Sequence, residues 1–167
     1  IGPGPVLLGA ATRSNGVLRL LKALRHESPG VAETAQRLGV KAGNDAVALV
    51  LKTFHTTHGG KMSIARVLSG QIGDGTTLNS QDRDAGRVSG VSKVMGQGYE
   101  KRGPAAAGET VAFGKLDHAK TADTLASGKD NPKRLVEIVP YPPVLAISIS
   151  ATDRKDDVKL GQALLRL

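Results

Sequence analysis

The chain has no cysteine and no tryptophan, and only two phenylalanines and two tyrosines among 167 residues. Without cysteine there is neither a disulfide framework nor a thiolate metal site. Without large aromatics the core has to be built from Val, Leu, Ile and Ala, a mix that favours short strands joined by glycine turns. The 21 glycines supply those turns. No apolar run approaches the roughly 20 residues that a membrane span needs. No secretory signal is legible: the apolar stretch 5–11 is short and Ile1 is not a start methionine. The chain therefore reads as beginning mid-protein, with a cytoplasmic location as the default expectation.

What the chain does have is positive charge. Lys and Arg number 23 against 15 Asp and Glu, giving a net charge of +8 and a pI near 10.0. A basic globular domain usually meets an anionic partner. Lys93, Lys101, Arg102, Lys115, Lys120, Lys129, Lys133 and Arg134 concentrate in one stretch. Phosphate contacts need only such charges. Stacking on single-stranded RNA would want aromatics beside them, and only Tyr99 is near. Contact with the backbone or shape of folded RNA fits this stretch better, and ordinary solvated charge is the alternative. Lys93, Lys101, Arg102, Lys115 and Lys120 are the RNA-contact candidates.

The length supports one domain of about 100–150 residues plus attachments. Residues 5–11 suit a short buried strand, and Asn15 is placed to cap the helix that follows. Val17, Leu20, Leu21 and Leu24 recur at helical spacing on one face, and Ser28-Pro29-Gly30 ends that helix. Residues 31–44 read as a linker with one helical turn. From Ala46 the texture turns to β, with strands expected over 46–54, 62–68, 83–95, 110–116 and 134–139 and loops over 55–60 and 96–103. Within this part, residues 66–78 read as strand, turn, strand, broken at Ser69-Gly70 and Gly73-Asp74-Gly75. Gly86 and Gly90 mark a bulge or a barrel corner. Short strands separated by turn signals predict an all-β barrel. Pro140, Pro142 and Pro143 break the chain. Leu145, Ile147 and Ile149 then alternate with small or polar residues as in a half-buried strand. Asp153 is placed to cap a last helix carrying Val158, Gly161, Leu164 and Leu165. The expected layout is the end of an α/β unit and a linker over 1–40, a whole barrel over 41–143, and the start of another α/β unit over 144–167.

Candidate chemistry is thin. His55 and His58 have HxxH spacing but stand in a predicted loop without cysteine or a nearby carboxylate, so they read as structural. Gly60-Lys61-Met62-Ser63 lacks both the serine directly after the lysine and the upstream glycine of a phosphate loop. No GxSxG motif is present, and Asp156-Asp157 fit the first turn of a helix, where they complement its dipole. No catalytic residue and no metal ligand is assigned.

Segments 5–11, 60–70, 75–76, 107–109, 122–125, 143–149 and 159–164, taken in that order, resemble elongation factor G, a translational GTPase. Pro5-Val6-Leu7-Leu8-Gly9-Ala10-Ala11 resembles the last strand of the family's GTPase domain and its fifth guanine motif, with Ala10 where the family has serine. Gly60-Lys61-Met62 through Ser69-Gly70 resembles the family's Gly-Lys-Leu…Tyr-Ser-Gly strand. The upstream Asp-Pro-Phe is replaced by Thr56-Thr57-His58. Where the family has Gly-Asp, this chain has Gly75-Thr76. Ala107-Gly108-Glu109 and Ala122-Asp123-Thr124-Leu125 stand for Ala-Gly-Asp and Gly-Asp-Thr-Leu. Residues 143–149 and Lys159-Leu160-Gly161-Gln162-Ala163-Leu164 resemble the start of the third domain.

The resemblance implies a divergent paralogue whose fold is mainly β: a translation-factor-type Greek-key barrel, the family's domain II, flanked by partial α/β pieces. It implies that 1–40 end the GTPase domain and that Gly9, Ala10 and Ala11 are the remnant of a GTP-binding motif. GTP and magnesium are implied for the longer parent, and no cofactor for this piece, which lacks the phosphate loop and catalytic residues. The implied role is non-catalytic: docking the parent on the ribosome through small-subunit rRNA and coupling its GTPase domain to later domains during protein biosynthesis. No membrane or DNA partner is expected. A ribosome-protection or recycling-type relative and a plain protein-interaction barrel are the alternatives.

Overall fold

The computed structural model describes residues 5–40, 45–56, 60–82, 84–96, 98–139 and 141–164. Two helices, α1 (Val17–Glu27) and α2 (Val31–Arg37), precede ten strands, and α3 (Asp157–Leu164) ends the described chain. The strands are β1 (Val47–Thr56), β2 (Gly60–Ser69), β3 (Gln71–Ile72), β4 (Thr77–Asn79), β5 (Asp84–Arg87), β6 (Val91–Met95), β7 (Gly98–Arg102), β8 (Ala105–Ala106), β9 (Thr110–Gly114) and β10 (Thr124–Ala126). Eight of them form one sheet in the order β5-β4-β10-β1-β2-β9-β6-β7, and β3 pairs with β8. Every pairing is antiparallel. Strands distant in sequence sit side by side, β10 against β1 and β9 against β2, giving the expected mainly β, Greek-key barrel architecture.

The core follows strand alternation. On β2, Ser63, Ala65 and Val67 point inward, and their partners on β9 include Phe113 and Val111. Phe113, Ile72, Leu78, Leu116 and Leu125 are the largest buried side chains. One phenylalanine among aliphatic residues fills the interior, as the composition requires.

Three turns share one design. Gly73–Thr76, Ala106–Glu109 and Lys120–Asp123 each close with a backbone bond from the fourth N–H to the first carbonyl. In each, the fourth side chain accepts the first residue's N–H: Thr76 from Gly73 at 3.2 Å, Glu109 from Ala106 at 2.7 Å and Asp123 from Lys120 at 2.8 Å. The third residue has positive φ in all three: Gly75 at 81°, Gly108 at 92° and Ala122 at 70°. These are the type II requirements, a left-handed third residue and a bonded fourth. They are also the three sites where this chain departs from a Gly-Asp pattern. Thr76 and Glu109 keep the acceptor oxygen, whereas Ala122 gives up the glycine.

Several expectations are corrected. Residues 5–9 form no strand and are mostly exposed. A strand is held by its neighbours' hydrogen bonds, and no strand among the described residues lies beside them. Gly16, not Asn15, is the N-cap of α1 and no side chain caps it; the Asn15 backbone is instead paired with Ala10. Among the described residues of the expected 31–44 linker, α2 forms two turns of helix rather than one and packs on β2. The loop expected over 96–103 contains β7, paired with β6 from Val91↔Arg102 to Met95↔Gly98. Residues 134–139 form no strand; the Leu135 N–H is fastened to Thr124 Oγ1 at 3.0 Å instead of entering a ladder. Residues 144–150 are likewise outside any strand, with Leu145, Ile147 and Ile149 exposed.

Other readings hold. Ser28 ends α1, and the Asp153 side chain accepts the Lys155 N–H ahead of α3. One more expectation is corrected: the loop over 55–60 is shorter, because His55 and Thr56 pair with Lys61 and Gly60 as the ends of β1 and β2; His58, Arg83, Pro140 and Leu165 lie outside the described residues.

Candidate RNA-contact surface

The structure distributes the basic candidates over three places. Lys93 on β6 and Lys101 on β7 are exposed on one hairpin. Lys93 pairs in register with Glu100 and Lys101 with Ser92, so the two lysines point to opposite faces. Arg102, on the same hairpin, is tied to Glu109 at 2.7 Å. The hydrogen bond from the Ala106 N–H, and after it that Arg102 contact, hold the Glu109 carboxyl below its ordinary value.

Lys115 follows β9 with φ 58°. It lines a polar cleft of about 460 Å³ with Asp74, Gly75, Arg87, Val88 and Ser89. Arg87 reaches this cleft from β5 and donates from Nε to the Gly75 carbonyl at 2.9 Å. Asp74 Oδ1 accepts the Gly90 N–H at 2.9 Å on the other side. Lys120 is exposed at the start of the Lys120–Asp123 turn. The basic candidates thus stand on three different elements, a hairpin, the end of β9 and a turn. The reading missed Arg87, which meets Lys115 only because β5 and the end of β9 converge; no local pattern announces that meeting.

Gly9, Ala10 and Ala11 occupy a tight loop ahead of α1. Ala10 N–H donates to Asn15 O at 3.0 Å, and Asn15 N–H returns to Ala10 O at 3.1 Å. Ala11 opens a short 3-10 turn, Ala11–Arg13. A Cβ on Gly9 would stand 2.7 Å from Asn15 O, and one on Gly16 would stand 2.7 Å from Leu8 O. The two glycines let the loop's ends approach, and a shallow depression of about 160 Å³ is lined by Leu7, Gly9, Ala11 and Gly16 among others.

Among the described residues, no group of three or more His, Asp or Glu stands close enough to hold a metal ion. No helix among them is long and apolar enough to cross a membrane.

Comparison with known proteins gives a consistent neighbourhood. No family model matches the chain. An elongation factor G-like protein of Synechocystis is 36% identical over 165 residues, covering 98% of this chain and 24% of that protein. Elongation factor G 1 of Syntrophomonas wolfei is 30% identical over 177 residues, covering 98% of this chain and 26% of its own length. Elongation factor G of Jannaschia is 28% identical over 180 residues, again across 98% of this chain. The chain spans about a quarter of the length of the curated relatives it matches. The crystal structure of a Thermus thermophilus protein superposes with a TM-score of 0.70 at 24% identity, over 95% of this chain and 23% of that one. At that identity the superposition supports the fold alone.

Proposed function

We propose that this divergent elongation factor G-type chain is the non-catalytic barrel region of a translational GTPase, docking its parent on the small ribosomal subunit and joining the GTPase domain to later domains. The observation that carries this reading is similarity along 98% of the chain to proteins named elongation factor G or elongation factor G-like. The net charge of +8 suits an RNA partner. Residues 1–40 then close the GTPase domain, 41–143 form domain II and 144–167 open domain III. The exposed leucine face of α1 and the exposed apolar residues of 144–149 are what such a division leaves uncovered at both flanks.

GTP with magnesium belongs, in this reading, to the longer cytoplasmic protein, where it supplies the hydrolysable phosphoanhydride. The Gly9-Ala10-Ala11 loop would lie against the guanine base. The Ala10 N–H is already bonded to Asn15 O, so a base would meet another amide of the loop, such as that of Ala11. It opens a helical turn, where leading N–H groups have no internal partner, and the loop fits the role. Ala10 brings no hydroxyl.

The test is binding of the 167-residue chain to isolated small ribosomal subunits across a salt series. Affinity is expected to fall linearly on a log–log plot as phosphate-bound counterions are released. No binding even at low salt would sink the docking role of this segment.

A further inference from the structure

Aromatic side chains are scarce here, and the fold brings two of them together from distant strands. Phe113 is a core residue and Tyr141 stands in the exposed segment after β10. Phe54 of β1 and Tyr99 of β7 meet with ring centroids 6.4 Å apart and planes inclined by 32°. In the sheet order β2, β9 and β6 lie between those two strands. At about 4.8 Å per strand, a flat sheet would hold β1 and β7 roughly 19 Å apart. The β6–β7 hairpin therefore curls back over the outer face of the sheet. Ala112, whose side chain belongs to that outer face, is fully buried beneath it.

Strand register identifies what shares this face with the rings. One row runs Lys52–Ile64–Ala112–Ser92–Lys101 across five strands. The neighbouring row, Thr53–Ser63–Phe113–Val91, faces the core. Phe54 lies two residues from Lys52, and Tyr99 lies two residues from Lys101. Each ring thus has a lysine on its own face, and both lysines are exposed. Arg66 is the third cation there, donating to Thr110 Oγ1 at 3.2 Å. The outward positions of these five strands hold no carboxylate, since Glu100 points to the opposite face with Lys93. Tyr99 keeps 46% of its surface open, enough for a planar group to lie on it.

Aromatic rings interleaved with cations, and free of acids, form the arrangement that holds single-stranded nucleic acid, because every base has a face to stack and every nucleotide a phosphate. We propose that this face binds an unpaired RNA segment, one base stacking on Tyr99 backed by Phe54 and the flanking phosphates meeting Lys101 and Lys52. The inference deepens the RNA contact proposed above and rests on it for the partner's class. It replaces shape-only contact with base stacking.

The experiment is fluorescence anisotropy of the 167-residue chain with a labelled 12-nucleotide oligo(A) RNA and with a duplex of equal length. The single strand is expected to bind more tightly than the duplex. Tyr99→Ala is expected to weaken single-strand binding roughly tenfold, whereas Tyr99→Phe keeps it. Replacing Lys52 and Lys101 together by Gln is expected to flatten the single-strand salt slope by about 1.4. Those exposed sites leave the packing intact, so this arm decides the question even where Tyr99→Ala disturbs the fold, which thermal unfolding reports. Equal affinity for the duplex, an unchanged salt slope, or Tyr99→Phe binding as poorly as Tyr99→Ala would overturn the proposal. Wild-type chain that binds small subunits but not oligo(A) overturns it alone. Binding to oligo(A) without affinity for small subunits supports it and overturns the docking reading instead.

Discussion

Arg102 and Glu109 form an ion pair of 2.7 Å that fastens strand β7 to the turn ahead of β9. The second carboxylate oxygen of Glu109 accepts the Ala106 N–H at 2.7 Å. The bond from Ala106, then the hydrogen bond and charge of Arg102, keep the Glu109 carboxyl below its ordinary value of 4.5. The unfolded chain therefore takes up this proton more readily than the folded one. The stabilisation from Glu109 is complete above the ordinary value and is lost as pH falls through the folded value. The gap in melting temperature between wild type and Glu109→Gln is expected to stay level near neutrality and to shrink below about pH 4.5. Thermal unfolding across a pH series measures it, and a gap that persists undiminished into strong acid would contradict the bracket.

Gly70 and Gly90 both have positive φ, at 66° and 87°, but their surroundings differ. A Cβ at Gly70 would stand 2.7 Å from the Ala46 Cα and 3.0 Å from its N, backbone atoms that cannot step aside, whereas nothing approaches one at Gly90. Gly90→Ala is expected to cost about 1–2 kcal/mol, the left-handed penalty alone. Gly70→Ala adds a collision and is expected to cost at least ~3 kcal/mol. Urea denaturation of the two variants gives the comparison; equal costs would refute the role of the Ala46 contact.

Ser63 is fully buried, and its hydroxyl has no hydrogen-bond partner among the described residues. Burying a hydroxyl unpaired costs about 1–3 kcal/mol. Ser63→Ala is therefore expected to stabilise the barrel by about 1 kcal/mol. Thr124 is buried too, but its Oγ1 accepts the Leu135 N–H at 3.0 Å. Thr124→Val is expected to destabilise by about 1 kcal/mol and to expose the Leu135 amide to exchange. Opposite signs in chemical denaturation are the expected result.

The sequence made the barrel legible where a local rule decides the outcome. The Ser69-Gly70 break needs positive φ, and Gly70 has it. The leucines of α1 have helical spacing, and the helix is there. Legibility failed where the deciding partner was remote. Leu145, Ile147 and Ile149 alternate like a strand, yet a strand also needs a neighbour. β7 shows no apolar alternation because most of its residues are exposed, so only its register with β6 defines it. For the candidate surface, Lys93, Lys101 and Tyr99 were readable as basic and aromatic residues. That Phe54 reaches Tyr99, and that Arg102 turns to Glu109, depends on how the hairpin curls.

Gly108 sets how the helix ahead of the barrel is seated. Its φ is 92°, and a Cβ there would stand 2.6 Å from the Val31 Cγ2 of α2. The Gly108 N–H donates to Val67 O at 2.8 Å, so the turn cannot retreat without breaking its bond to β2. Val31 is the side that has to give, since the clash is with its side chain and α2 borders an open groove of about 650 Å³ where it packs on the barrel. Gly108→Ala is therefore expected to act in two places. The left-handed penalty of about 1–2 kcal/mol falls on the barrel. The collision is relieved by displacing α2, which raises amide exchange over residues 32–38 more than over β2 and β9. Val31→Ala removes the colliding methyl groups, so the double variant is expected to regain protection in α2 while keeping the barrel's loss. Hydrogen exchange read residue by residue separates the two effects, and uniform loss of protection in helix and barrel alike would rule out Val31 as the point of strain.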